Sequence, residues 1–212
     1  MIDPIALSES IITKLCHDLA GPIGAIQNGL EFLSEDISEE MNEKSMNIIS
    51  FNSQELCIKL KFLRSIYGKS QNDGEVEISE AQAIAKDFLA LKKISIEIEN
   101  EKHGTDYVQL TYKASKLLLL LIFIAAESLI TGGKINLTLG RKDQTKFIKI
   151  TATGEKVKDL EEFHSIISGK QTAQVKTNTA HYFFATQIAK ATKADLSYSM
   201  TDDCLNILCE FK

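Results

Sequence analysis

Eight apolar or small positions near the start of the chain, Ile12, Cys16, Leu19, Ile23, Ile26, Leu30, Leu33 and Ile37, step alternately by four and three without a slip. Such spacing is a heptad seam, and it demands a helix packed in a coiled coil or bundle. The seam runs straight through Pro22. Proline in a helix interior removes a hydrogen bond and costs roughly 3 kcal/mol. One continuous helix that tolerates its proline is therefore predicted, rather than two helices with a break.

A second seam follows at Met46, Ile49, Ser53, Leu56, Leu60, Leu63 and Tyr67, with only Ser53 out of character. Residues 34–40 between the seams are polar and acidic, with Ser38 the expected N-cap ahead of Glu39 and Glu40. Gly68 is the expected helix end. Residues 8–68 thus read as an antiparallel helical hairpin. Two helices cannot bury two full seams alone. The simplest partner is a second copy, which makes a four-helix bundle by dimerisation. Packing on the rest of the chain is the alternative.

The 212 residues suffice for one large domain or two small ones. A net charge of -5, with no basic block, argues against a nucleic-acid partner. Met1-Ile2-Asp3-Pro4 lacks the layout of a signal peptide. The longest apolar run, residues 117–126, is too short for a bilayer, which needs about 20 residues, and reads as a core helix. The four cysteines show no CxxC or zinc spacing. Cys16 and Cys57 read as small core residues, and a reduced, cytoplasmic setting is expected.

A polar linker over residues 69–74 precedes a change of pattern. Helices are expected over 79–91 (capped by Ser79), 114–130, 160–167 and 180–191. Strands are expected over 95–98, 107–111, 134–139, 146–152, 196–200 and 205–211, with a Gly132-Gly133 turn. This is an antiparallel-rich sheet with helices on one face. The expected class is α+β: an N-terminal antiparallel helical hairpin over 1–70, then an α/β sandwich over 75–212.

Inside the first seam stands His17-Asp18, with Pro22 five residues after the histidine. His17 follows a seam position, so it faces outward or lies at the seam's edge. Gly21, Gly24, Asn28 and Glu31 share its stripe. A helix-interior glycine costs about 1 kcal/mol against alanine. Two on one face mark a place where something approaches the backbone closely, so these four residues are docking candidates. His103, His164 and His181 read as structural.

A helical hairpin with a His-acidic pair, followed by an α/β sandwich, resembles the histidine kinase core. His17-Asp18-Leu19 with Pro22 looks like its phosphoacceptor box. The nucleotide boxes of that fold are lost. Ile124 stands where the magnesium-holding asparagine belongs. Ala152 replaces the aspartate that reads adenine, and Lys156 the second glycine of the same loop. Thr179 and His181 occupy the Gly-x-Gly box, where side chains block the approach of phosphates to backbone amides.

A kinase-like fold that keeps its histidine and lacks an ATP site resembles the ChpT-type histidine phosphotransferases of alphaproteobacterial phosphorelays. Gly29-Leu30-Glu31-Phe32-Leu33, Met46-Asn47-Ile48-Ile49 and Leu60-Lys61-Phe62-Leu63-Arg64 with Gly68 also look like that family's two-helix region. One departure is Gly21, where the family commonly has serine. The resemblance implies a homodimer that takes a phosphoryl group from the receiver domain of a hybrid histidine kinase and passes it to response regulators. His17 would be the phosphoacceptor. Asp18 would assist, holding the imidazole tautomer or taking a proton. Lys61 and Arg64, expected near the height of His17, would attract the phosphoryl oxygens or simply form a solvated face. No ATP, metal or cofactor site is expected in the chain, magnesium coming with the partner receiver. The alternatives are a non-catalytic dimeric scaffold or inhibitor of response regulators, and an active histidine kinase.

Overall fold

The computed structural model describes residues 3–34, 38–69, 74–76, 78–103, 106–170, 174–201 and 203–212. Ile37, the centre of the expected linker and the side chain of His103 lie outside the described residues. Helix α1 (Pro4–Ser34) passes unbroken through Pro22, which is buried. Helix α2 (Glu39–Tyr67) runs back along it. Near the connection a Cβ on buried Gly29 would meet Ile49 Cγ1 at 2.7 Å and the Ser45 carbonyl at 3.3 Å, so only glycine lets the helices come this close. Ser38 occupies the N-cap position of α2, but its side chain makes no capping bond. Gly68 ends α2, donating its N–H to the Arg64 carbonyl at 2.8 Å.

Burial separates the seams into two stripes. Leu19, Ile26 and Leu33 on α1, and Ile49, Leu56 and Leu63 on α2, are half-buried or buried. Cys16, Ile23, Leu30, Met46 and Leu60 are exposed, joined on the hairpin surface by Ile12 and Phe51. Cys16 and Cys57, expected inside, are therefore at the surface, because the stripe carrying Cys16 faces no other element among the described residues.

The sandwich is built on a five-stranded sheet. Its elements are β2 (Ile94–Asn100), β6 (Gly133–Lys142), β7 (Thr145–Thr153), β8 (Ala194–Thr201) and β9 (Cys204–Phe211), in the order β2-β6-β7-β9-β8. Only the β2–β6 pair is parallel. Alternation decides the faces: Ile135, Leu137, Leu139, Ile148, Ile150, Leu205 and Ile207 are buried under the helices. Residues Thr151 and Asn206 bond to each other between them, on the opposite face. The helices are α3 (Ile78–Ala90), α4 (Tyr112–Ser128), α5 (Glu161–Ile167) and α6 (Ala180–Ala191).

Three local expectations shift. Helix α3 begins at buried Ile78, so Ser79 lies in its first turn and is not the cap. Helix α4 begins at Tyr112, because Thr111 Oγ1 accepts the Ala114 N–H at 3.2 Å and caps it. The strand expected over 107–111 is two short pieces, β4 (Asp106–Tyr107) and β5 (Leu110–Thr111), pairing with β3 (Lys102–His103) and β1 (Glu75–Val76). Between them the Asn100 side chain takes both the N–H and the carbonyl of Val108, at 3.1 and 3.2 Å, and removes that residue from any ladder.

The hairpin and the sandwich share one core. Phe62 of α2 stacks on Phe88 of α3, ring centroids 3.9 Å apart, and meets Phe123 of α4 edge-on at 5.8 Å. Phe62 and Ile66 are fully buried. The last turns of α2 are thus covered by this chain's own sandwich, while the rest of the apolar face is left open.

Candidate functional site

His17 stands on the outer surface of α1 with its side chain 87% exposed, and Asp18, at 28%, turns inward beside it. Asp18 Oδ1 lies 3.5 Å from His17 Nδ1. Its other oxygen, Oδ2, lies 3.7 Å from Lys14 Nζ, one helical turn back. Across the hairpin Lys59 Nζ reaches the Asp18 carbonyl at 3.5 Å and pairs with Glu55 at 2.6 Å. The cation that α2 brings to Asp18 is therefore Lys59. Lys61 lies instead beside Ile84 and Asp87 of α3, and Arg64 is exposed in the last turn of α2.

Along the His17 stripe, a Cβ on Gly21 or Gly24 would meet nothing within 4 Å. Asn28 and Glu31 are exposed, Glu31 accepting from Gln27 at 3.2 Å. The stripe is an open surface. Replacing both Gly21 and Gly24 by alanine should therefore stabilise the chain by about 1 kcal/mol per site from helix propensity alone. Denaturant unfolding of the double variant reads this directly; a loss of stability would mean the face is covered.

Behind Asp18, between hairpin and sandwich, is a cleft of about 300 Å³. Lys14, Asp18, Lys59, Lys92, Phe123 and Glu127 are among its lining. Glu127 was not apparent from its own neighbourhood, although a lone carboxylate ending a ten-residue apolar run was a signal. Burial pushes its carboxyl up, but hydrogen bonds from His181 and Tyr182 and the nearby Lys14 more than offset this. The net effect holds it below the usual carboxylate range.

Of the positions matched to the kinase nucleotide boxes, four are buried and one, Lys156, is exposed. Ile124 and Ala152 are fully buried, Thr179 is buried, and His181 is fully buried. The Gly132-Gly133 pair serves backbone packing: a Cβ on Gly132 would meet the Lys93 carbonyl at 2.6 Å, and one on Gly133 would overlap the Thr153 carbonyl. Gly132 also has φ +92°, open chiefly to glycine. His164 stacks on Tyr198 at 5.3 Å, in keeping with a structural role.

The sequence family described as histidine phosphotransferase C-terminal domain matches residues 78–204, nearly the whole sandwich. This chain belongs to the histidine phosphotransferase family. Over 169 residues it is 26% identical to protein phosphotransferase ChpT of Brucella abortus (strain 2308), covering 79% of this chain and 77% of that protein. A bacterial phosphotransferase of known structure superimposes with a TM-score of 0.84 at 22% identity, covering 99% of this chain and 98% of the other. The histidine kinase AdeS of Acinetobacter baumannii gives a TM-score of 0.50 at 16% identity, over 92% of this chain and 97% of the other. The fold is thus hairpin plus kinase-like sandwich, and the ChpT-type resemblance holds. Membership gives the histidine phosphotransferase a phosphotransfer role in two-component signalling. No helix among the described residues is long and apolar enough to cross a membrane.

Proposed function

We propose that this chain shuttles a phosphoryl group between receiver-domain aspartates through a phosphohistidine at His17, without using ATP. The observation that carries this reading is the contrast between two sites. His17 is exposed on a face kept clear by Gly21 and Gly24, while Ile124, Ala152 and His181, at the kinase nucleotide boxes, are buried.

The geometry gives a consistent cycle. With its proton on Nδ1, beside Asp18, the imidazole keeps the Nε2 lone pair free. Nε2 attacks phosphorus in line; the N–P bond forms as the bond to the aspartyl oxygen breaks and the carboxylate leaves. Asp18 balances the positive charge that develops on the ring. A second receiver reverses these steps onto its own aspartate. Such transfers pass through a loose transition state, so positioning and charge neutralisation dominate. The magnesium that supplies part of that charge comes with the receiver. Gly21, Gly24, Asn28 and Glu31 form the docking stripe, and Lys61 and Arg64 add positive charge along α2. The incoming phosphoryl group is supplied by a hybrid histidine kinase's receiver, and the setting is cytoplasmic.

A second copy of the chain covers the open apolar face. Ile23 (51% exposed), Leu30 (55%), Met46 (56%) and Leu60 (54%) come from both helices at heptad spacing, as a four-helix bundle requires. Light scattering should find wild type a dimer and the Ile23→Asp, Leu30→Asp double variant a monomer. A monomeric wild type at micromolar concentration rules this arrangement out.

The phosphotransfer itself is tested by mixing the chain with a phosphorylated receiver and mapping the modification by mass spectrometry. Phosphate on the peptide containing His17, chased off by a second receiver, is the expected result. A receiver that binds tightly and leaves no phosphate would instead favour a non-catalytic scaffold.

A further inference from the structure

Five side chains connect the sandwich to His17. His181 Nε2 and Tyr182 Oη, both from the first turn of α6, lie 2.8 Å from the same Glu127 oxygen, Oε2. The other oxygen, Oε1, faces Lys14 Nζ at 3.9 Å. Lys14 stands 3.7 Å from Asp18 Oδ2, and Asp18 Oδ1 is the oxygen beside His17 Nδ1. Lys14 therefore sits midway between two carboxylates, 5.4 Å above the Phe123 ring. Its side chain is only 17% exposed, so water screens this balance weakly. Removing the charge on Glu127 would leave Lys14 to close on Asp18 and draw that carboxylate away from the imidazole.

We propose that Glu127 and Lys14 are positioning residues, through which the sandwich keeps Asp18 turned toward His17 Nδ1 and so selects the ring nitrogen that receives the phosphoryl group. This rests on His17 being the phosphoacceptor. It also gives a use to the side chain at the lost Gly-x-Gly box: His181 is buried where it anchors Glu127. Lys59 and Glu55 line the same cleft from α2, and Lys92 lines it from the turn after α3, but none of them bridges Glu127 to Asp18.

The test has two readouts on the full chain. Nitrogen-15 NMR of the imidazoles gives the fraction of neutral His17 protonated on Nδ1 in the free protein. Single-turnover transfer from a phosphorylated receiver gives the maximal rate and the half-saturating receiver concentration. Glu127→Gln should lower the Nδ1-protonated fraction. It should also slow the maximal rate on the order of 10- to 100-fold, as misplacement of a reacting group does, with half-saturation unchanged. Adding Lys14→Met to Glu127→Gln removes the group that draws Asp18 away and should restore both readouts. Glu127→Asp, which keeps the charge but withdraws it from Lys14, should shift both in the direction of Glu127→Gln, and it carries the test if Glu127→Gln fails to fold. Lys92→Met, in the same cleft but outside the chain of contacts, should change neither. An unchanged His17 tautomer in folded Glu127→Gln overturns the proposal and leaves Glu127 a joint between domains. A shifted tautomer, in a chain whose wild type accepts no phosphate from any receiver, supports the positioning and overturns the proposed function instead.

Discussion

Replacing His17 by glutamine is expected to abolish phosphoryl uptake from a phosphorylated receiver while leaving folding, dimerisation and receiver binding as they are. The side chain is 87% exposed, and its nearest ionisable contact, Asp18 at 3.5 Å, lies at the outer limit of pairing. Substitutions at such surface positions usually change stability by no more than about 0.5 kcal/mol. The amide nitrogen of glutamine has no available lone pair, so no adduct forms. Loss of label with circular dichroism and receiver affinity unchanged is the result to look for. Persistent label on the variant would move the phosphoacceptor elsewhere.

The largest expected effect on stability lies at Phe62. Its ring stacks on Phe88 at 3.9 Å, meets Phe123 at 5.8 Å and is fully buried. Truncating a buried phenylalanine to alanine typically costs about 3–5 kcal/mol. A domain of this kind has only about 5–15 kcal/mol in total. Because Phe62 belongs to the hairpin and its partners to the sandwich, Phe62→Ala should also separate the two in unfolding. A second denaturation transition should appear, with α1 and α2 losing amide protection first. A cost below about 1 kcal/mol with a single transition would mean that the aromatic triad does not join the parts.

What the sequence made legible is periodic. The alternation of fours and threes across Pro22 correctly required one helix, α1, despite the proline. Period-two alternation placed β7 and β9 within a residue at each end and β6 at its start, although β6 runs three residues past the expected end at 139. Periodicity says which face of a helix is apolar, but not what covers it. Cys16 and Cys57 were therefore expected inside and are exposed. Phe62 lies off the heptad seam, between Leu60 and Leu63, although it makes the joint to the sandwich. Asn100 gave no local sign that it would take the backbone of Val108 and split a strand.

The site divides in the same way. His17, Asp18 and the glycine stripe lie close together on one helix, so spacing alone brought them together. Lys14 was also within reach, four residues before Asp18. Glu127 and His181 join the site only through tertiary packing of α1, α4 and α6. Lys61 and Arg64 were placed by counting along an ideal hairpin. The close crossing at Gly29 fixes a register that brings Lys59 to Asp18 instead.

The central claim is that this phosphotransferase receives its phosphoryl group at His17 from a receiver and not from ATP. The most direct measurement incubates the wild-type chain in parallel with labelled ATP and with a receiver labelled on its aspartate, then follows label on the chain over time. The account predicts label only from the receiver, arriving at His17 and leaving again when a second receiver is added. Label arriving from ATP alone would contradict it, because a nucleotide site would then have to work with Ile124, Ala152 and His181 in place of the kinase residues.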